Sequence, residues 1–200
     1  MAKQTKLNRM TAAALFSALT VILQLIATFI KFGPFSITLA LAPIIVGAAV
    51  YGKGFGALLG TVLGIVNLAA GIFGWDGGAV MLLLQSNPAA LIIMCIGKTA
   101  AAGFLAGAVY RLIAGRGDSR YLPAVIVSGI VCPVVNTGIF TATLLLFFKD
   151  VLSSWAGGKP ILTYIIVGIV GINFVIELAV NLLLSAGMTT VIKVLSKKRV

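Results

Sequence analysis

Residues 162–192 read LTYIIVGIVGINFVIELAVNLLLSAGMTTVI, an apolar run with a single charge, Glu177, near its middle. A helix needs about 20 apolar residues to cross the hydrocarbon layer of a bilayer. This stretch crosses with length to spare, so it tilts or projects from the membrane at one end. A charge at the bilayer centre costs about 2.5–3.5 kcal/mol on insertion scales, so Glu177 must face other protein or a water-filled cavity. The stretch therefore predicts a bundle of spanning helices with something polar inside it.

Similar runs lie toward the N-terminus at 122–148, 88–113, 54–74, 38–51 and 11–30, separated by Gly, Pro and charge. The chain is 60% hydrophobic and 10% charged over 200 residues, with a mean hydropathy of +1.17. Six spans occupy nearly all of that length, which predicts an all-α membrane protein forming one membrane domain over residues 1–200. The run at 38–51 is short and contains Pro43, so it is expected to be a tilted or broken helix lining a cavity. The first run is expected to stay as a helix and not to be cleaved as a signal peptide, since Thr11 to Ile30 is long enough to span and shows no small-residue cleavage site.

The net charge of +11 comes from basic residues dispersed between the runs, with no nucleic-acid motif beside them. They read as topology. Lys3, Lys6, Arg9, Lys53, Arg111, Arg116, Arg120, Lys193, Lys197, Lys198 and Arg199 fall on one side of a six-span bundle, against Lys31, Lys149 and Lys159 on the other. The positive-inside rule then puts both termini in the cytoplasm. The outer connections are 31–37, 75–87 and 149–161, and the tight Tyr51–Gly54 turn and the 111–121 connection lie inside.

The residue inventory argues against catalysis. There is no histidine, and Cys95 and Cys132 lie in apolar runs without CxxC or Cys/His spacing, so they read as small hydrophobes and no metal or cofactor is expected. Gly97-Lys98-Thr99 resembles the end of a phosphate-binding loop, but Ile92 stands where that motif needs glycine. Ser/His pairs, HExxH and facing intramembrane aspartates are absent from the sequence. No enzyme class has support.

Two ionisable groups lie too deep to be moved out. Lys98 sits about 10 residues below the outer end of its run and Glu177 about 15, or roughly 15 and 22 Å deep at the helical rise. Asn173, Glu177 and Asn181 recur at four-residue spacing and form one polar stripe. Asn136 and Asn67 lie roughly 20 and 10 Å deep in two further runs. With Gln85, Trp75 and Asp76 in the outer connection, these groups predict a polar cavity that opens outward under an aromatic-bearing cover. The alternative is a buried network in which Lys98 pairs with Glu177, the asparagines bond neighbouring backbones, and the whole only fixes packing.

Small residues also recur every fourth position: Gly56, Gly60 and Gly64; Gly103 and Gly107; Ala14 and Ala18. Such rows let helix backbones approach closely where lipid removes the hydrophobic drive. The glycine rows read as packing inside the bundle. The alanine pair reads equally as packing or as a docking face for another membrane subunit.

The chain size, six spans with both ends inside, Ala14-Leu15-Phe16-Ser17-Ala18 on the first span, and Tyr51-Gly52-Lys53-Gly54-Phe55-Gly56-Ala57 after a short second one resemble the substrate-binding S components of energy-coupling factor (ECF) transporters. The likeness spans nearly the whole chain. It implies a prokaryotic cell membrane, an ECF transmembrane coupling subunit and two ATPase subunits as partners, and a vitamin or related small nutrient as substrate. It also implies an outward pocket formed by the later helices and the first and third loops, and toppling in the membrane to release substrate inside. The family's alanine docking row falls on Ala14 and Ala18, with Ala13 and Ser17 as a competing register.

Lys98, Asn136, Asn173, Glu177 and Asn181, with Asn67 and Trp75, are then the expected substrate contacts. A carboxylate suits Lys98, and hydroxyl or amide groups suit the asparagines. Among vitamins that favours pantothenate, because a folate or flavin wants more aromatic surface than Trp75, Phe140 and Phe174 offer. The rival reading is a self-sufficient proton-coupled carrier in which Glu177 titrates and Lys98 modulates it. Many secondary carriers show two related halves, and no internal repeat is visible here.

Overall fold

A computed structural model describes residues 2–30, 35–75, 77–115 and 120–197; Lys31, Asp76, Arg116, Lys198 and Arg199 lie outside the described residues. Among the described residues there is no strand, and five helices are long and apolar enough to cross a membrane, with a sixth that is shorter. They are α1 (Ala2–Thr28), the short α2 (Leu41–Tyr51), α3 (Lys53–Ile72), α5 (Pro88–Ala114), α6 (Tyr121–Phe147) and α8 (Ile161–Ser196). Two further short helices, α4 (Ala79–Ser86) and α7 (Lys149–Ala156), occupy stretches that read as outer connections in the sequence.

The short helix explains the architecture. Nine of the 11 residues of α2 are buried, as expected of a helix that is apolar all round. At 1.5 Å per residue it extends about 16 Å, roughly half the hydrocarbon thickness. It sits as a plug touching α1, α3, α5, α6 and α8. Pro43 does not break it. It is the third residue of the helix, where an amide would lack an intrahelical acceptor in any case, so its missing N–H costs little. The chain leaves α2 through Gly52 at φ 100°, a conformation suited to glycine. The Arg111 guanidinium fills the space beside it, with Nη2 3.0 Å from where a Cβ would stand.

The glycine rows bring α3 and α5 into backbone contact. A Cβ on Gly56 would strike the carbonyl of Gly103, and one on Gly103 would strike that of Gly56. A Cβ on Gly60 would strike the Thr99 carbonyl, and one on Gly64 would lie 2.5 Å from Ile96 Cα. This close approach brings Lys98 beside α3. Gly60→Ala is expected to lose about 1–3 kcal/mol by overpacking against rigid backbone, measured as a lower unfolding temperature in detergent. Gly54→Ala, where nothing lies within 4 Å, is expected not to lower it.

The apolar core has two parts. One is centred on α2 and includes Leu59, Ala102, Tyr110, Val125, Cys132 and Ile192. The other includes Leu83, Leu91, Cys95, Phe140, Leu144, Phe148 and Ile165. Along α5, α6 and α8, the polar residues Lys98, Asn136, Asn173 and Glu177 fall between members of the first part and members of the second. The bundle is therefore apolar at two levels with a polar layer between them.

Candidate functional site

That polar layer encloses a cavity with about 90 Å³ open to the centre of a water molecule, room for several waters or a compact solute. Its walls come from α1, α3, α5, α6 and α8, and residues 35–38 and Val80 cover it. Lys98 directly follows a π-helical turn, Ile93–Gly97, and Asn173 lies just past another, Tyr164–Val170. Such turns alter which face the following residues present and are frequent at functional sites.

Glu177 is 5% exposed. Its Oε1 accepts a hydrogen bond from the Thr38 backbone N–H at 2.8 Å, and its Oε2 is buried without a partner. The Asn136 carboxamide and Thr38 hydroxyl also face this carboxylate. Lys98 shares the cavity, but its Nζ stands 4.5 Å from the centroid of the Phe140 ring, a cation–π position, and no ion pair joins it to Glu177 among the described residues. Of the packing-network alternative raised by the sequence, the direct Lys98–Glu177 ion pair is not found among the described residues, while an asparagine bonded to neighbouring backbone is. Asn173 donates through Nδ2 to the Phe35 and Ile169 carbonyls, both at 3.2 Å.

Five of the seven residues expected to contact substrate line the cavity: Lys98, Asn136, Asn173, Glu177 and Asn67. Asn181 and Trp75 do not. Asn181 lies one helical turn past Glu177, about 6 Å along the axis, and is buried against Gly129 of α6, where a Cβ would stand 3.7 Å from its own. Trp75, just beyond the end of α3, stacks on Phe29 at 6.3 Å and packs beside Phe73 at 5.8 Å. That exposed aromatic group has the character of an interfacial belt. The tryptophan at the cover is Trp155 of α7, whose ring lies 6.1 Å from Phe35, while Phe35 meets Phe140 edge-on at 5.0 Å. Gln85 is exposed.

The sequence reading missed Gln24. With Thr20 and Thr28 it forms a stripe at four-residue spacing on α1, and all three are buried at 2% exposure or less. The threonine hydroxyls bond back to the Phe16 and Gln24 carbonyls at 2.8 Å. The Gln24 side chain lines the cavity, and its Nε2 donates to the Ile37 carbonyl at 3.4 Å. The rule that identified Asn173, Glu177 and Asn181 applies equally here. On the outer face of the same helix Ala14 and Ala18 are exposed, together with Leu15, Leu19 and Ile22, whereas Ala13 and Ser17 are half-buried.

A bundle of long apolar helices around a short buried one, holding among the described residues a polar cavity with one lysine and one carboxylate, is a multi-pass α-helical membrane protein. The profile described as ECF transporter, substrate-specific component, matches residues 8–188, and the chain belongs to that family. Its class is the substrate-specific subunit of a transporter whose members work with ECF coupling and ATPase subunits. No curated protein and no solved structure matches the chain.

Proposed function

We propose that this subunit captures a vitamin or related small nutrient bearing a carboxylate, with pantothenate the favoured substrate, for import by an ECF coupling subunit and two ATPases. The observation that carries the reading is the Lys98 ammonium. It lines the polar cavity without a direct ion pair to Glu177, and an ionisable group held at membrane depth marks a substrate path by default. Asn136, Asn173, Glu177 and Asn67 would contact the rest of the solute. Residues 35–38 would serve as its cover. Ala14 and Ala18 would dock the coupling subunit, with both termini in the cytoplasm of a prokaryotic cell.

Native mass spectrometry of the protein purified gently from its own membranes tests this. A co-purifying carboxylate of vitamin size is expected. The unpartnered Glu177 Oε2 favours a second reading, the proton-coupled carrier. An empty protein that accumulates solute in vesicles containing this chain alone, driven by a proton gradient, would establish that reading instead.

A further inference from the structure

Four buried acceptor atoms on the cavity-lining residues have no partner: Gln24 Oε1, Asn136 Oδ1, Asn173 Oδ1 and Glu177 Oε2. Leaving a buried acceptor unsatisfied is costly, and native structures rarely do so without a reason. Carboxamide nitrogen and oxygen are alike in shape, so their assignment must come from the bonds they make. Here the bonds fix it. Gln24 Nε2 donates to the Ile37 carbonyl at 3.4 Å, and Asn173 Nδ2 to the Phe35 and Ile169 carbonyls at 3.2 Å. Flipping either group would set oxygen against oxygen. Glu177 Oε1 is engaged by the Thr38 N–H; the Thr38 hydroxyl and Asn136 carboxamide face the carboxylate, but Oε2 has no hydrogen bond of good geometry. Against these acceptors the described cavity lining presents one cationic donor, Lys98, with neutral hydroxyls on Ser36, Thr38 and Thr137 and the Asn67 carboxamide, each of which can also accept.

We infer that the natural substrate is rich in hydrogen-bond donors: it turns hydroxyl or N–H groups toward Gln24, Asn136, Asn173 and Glu177, and its one anionic or acceptor pole toward Lys98. This rests on the reading of the cavity as the substrate site. It makes Gln24, from the first helix, a specificity residue. A site built from oriented acceptors rejects a solute lacking the matching donors far more strongly than one of merely different size, because the acceptors are then left buried and unpaired.

The test is the affinity of the intact chain in detergent for pairs of solutes that differ only in donors. Suitable pairs are pantothenate with its dideoxy analogue, in which hydrogen replaces both hydroxyls, and an aminopyrimidine with its methyl counterpart. In at least one pair the donor-bearing member is expected to bind at least about 100-fold more tightly. Gln24→Met is expected to weaken that member roughly tenfold more than the donor-poor member, whereas a purely structural role for Gln24 would weaken both equally. Asn136→Leu, at a residue tied to no backbone carbonyl, repeats the test without touching the cover.

Equal affinities within the pairs that bind would overturn the inference and leave the substrate-subunit reading standing. If none of the panel binds, the molecule carried through purification takes its place. One with several hydroxyl or N–H donors supports the inference, and one without them overturns it. If no molecule is carried either, and vesicles holding this chain alone or the full complex accumulate none of the panel, both the inference and the site reading fail.

Discussion

Lys98→Met should weaken binding of a carboxylate-bearing substrate such as pantothenate by about 30- to 1,000-fold, the equivalent of roughly 2–4 kcal/mol. Methionine keeps the unbranched stem and its packing but removes the charge. The ammonium now lies over the Phe140 ring in a cavity it shares with Glu177. In the membrane interior little solvent screens a charge, so an anion placed there depends on this one cation. The measurement is isothermal titration on wild type and variant, accompanied by thermal melts. A large loss of affinity with the melting temperature held would make Lys98 a substrate contact. Unchanged affinity with a lower melting temperature would instead make it a neutraliser of Glu177, and the substrate would bind without it.

The parts of this protein that were legible in its sequence are those governed by the bilayer. Lipid satisfies no polar group, so a span is a helix or a strand of a closed barrel, and continuous apolar runs of about 20 residues select the helix; an all-α bundle followed from those runs alone. The same cost made Lys98, Asn136, Asn173 and Glu177 conspicuous. What could not be read depends on tertiary contact. The resemblance implied that the first loop borders the pocket, but not that Glu177, Asn173 and Gln24 bond to the backbone of residues 35–38. Trp75 reads as part of an aromatic cover because it opens the outer connection 75–87, but just past the end of α3 it packs on Phe29 and Phe73. Asn181 shares a stripe with Glu177, yet a cavity shallower than the stripe leaves it packed against α6. Gln24 was overlooked for a different reason. It is an uncharged amide like the asparagines, and its spacing with Thr20 and Thr28 is plain in the sequence, but on the first run only the row of small residues was read.

Replacing Ala14 and Ala18 together by tryptophan should reduce uptake to background while leaving substrate affinity within about twofold, as expected for exposed substitutions away from a site. The two faces of α1 separate these effects. Gln24 points inward to the cavity and is 1% exposed, whereas Ala14 and Ala18 point outward between exposed Leu15, Leu19 and Ile22. Exposed leucines on a membrane helix meet lipid as readily as protein, so they identify no partner by themselves. A row of alanines forms a shallow groove in which a second helix can approach backbone to backbone, and tryptophan fills that groove. Gln24 lies six residues beyond Ala18, about 9 Å along the helix, so the cavity is spared. Leu183→Trp, at a position 82% exposed on α8, serves as the control for bulk added to a lipid-facing surface and should leave uptake intact. The readouts are uptake by vesicles holding the full complex and titration of the isolated subunit. Normal uptake by the double variant would remove the docking role from this face of α1 and require the coupling subunit to grip the bundle elsewhere.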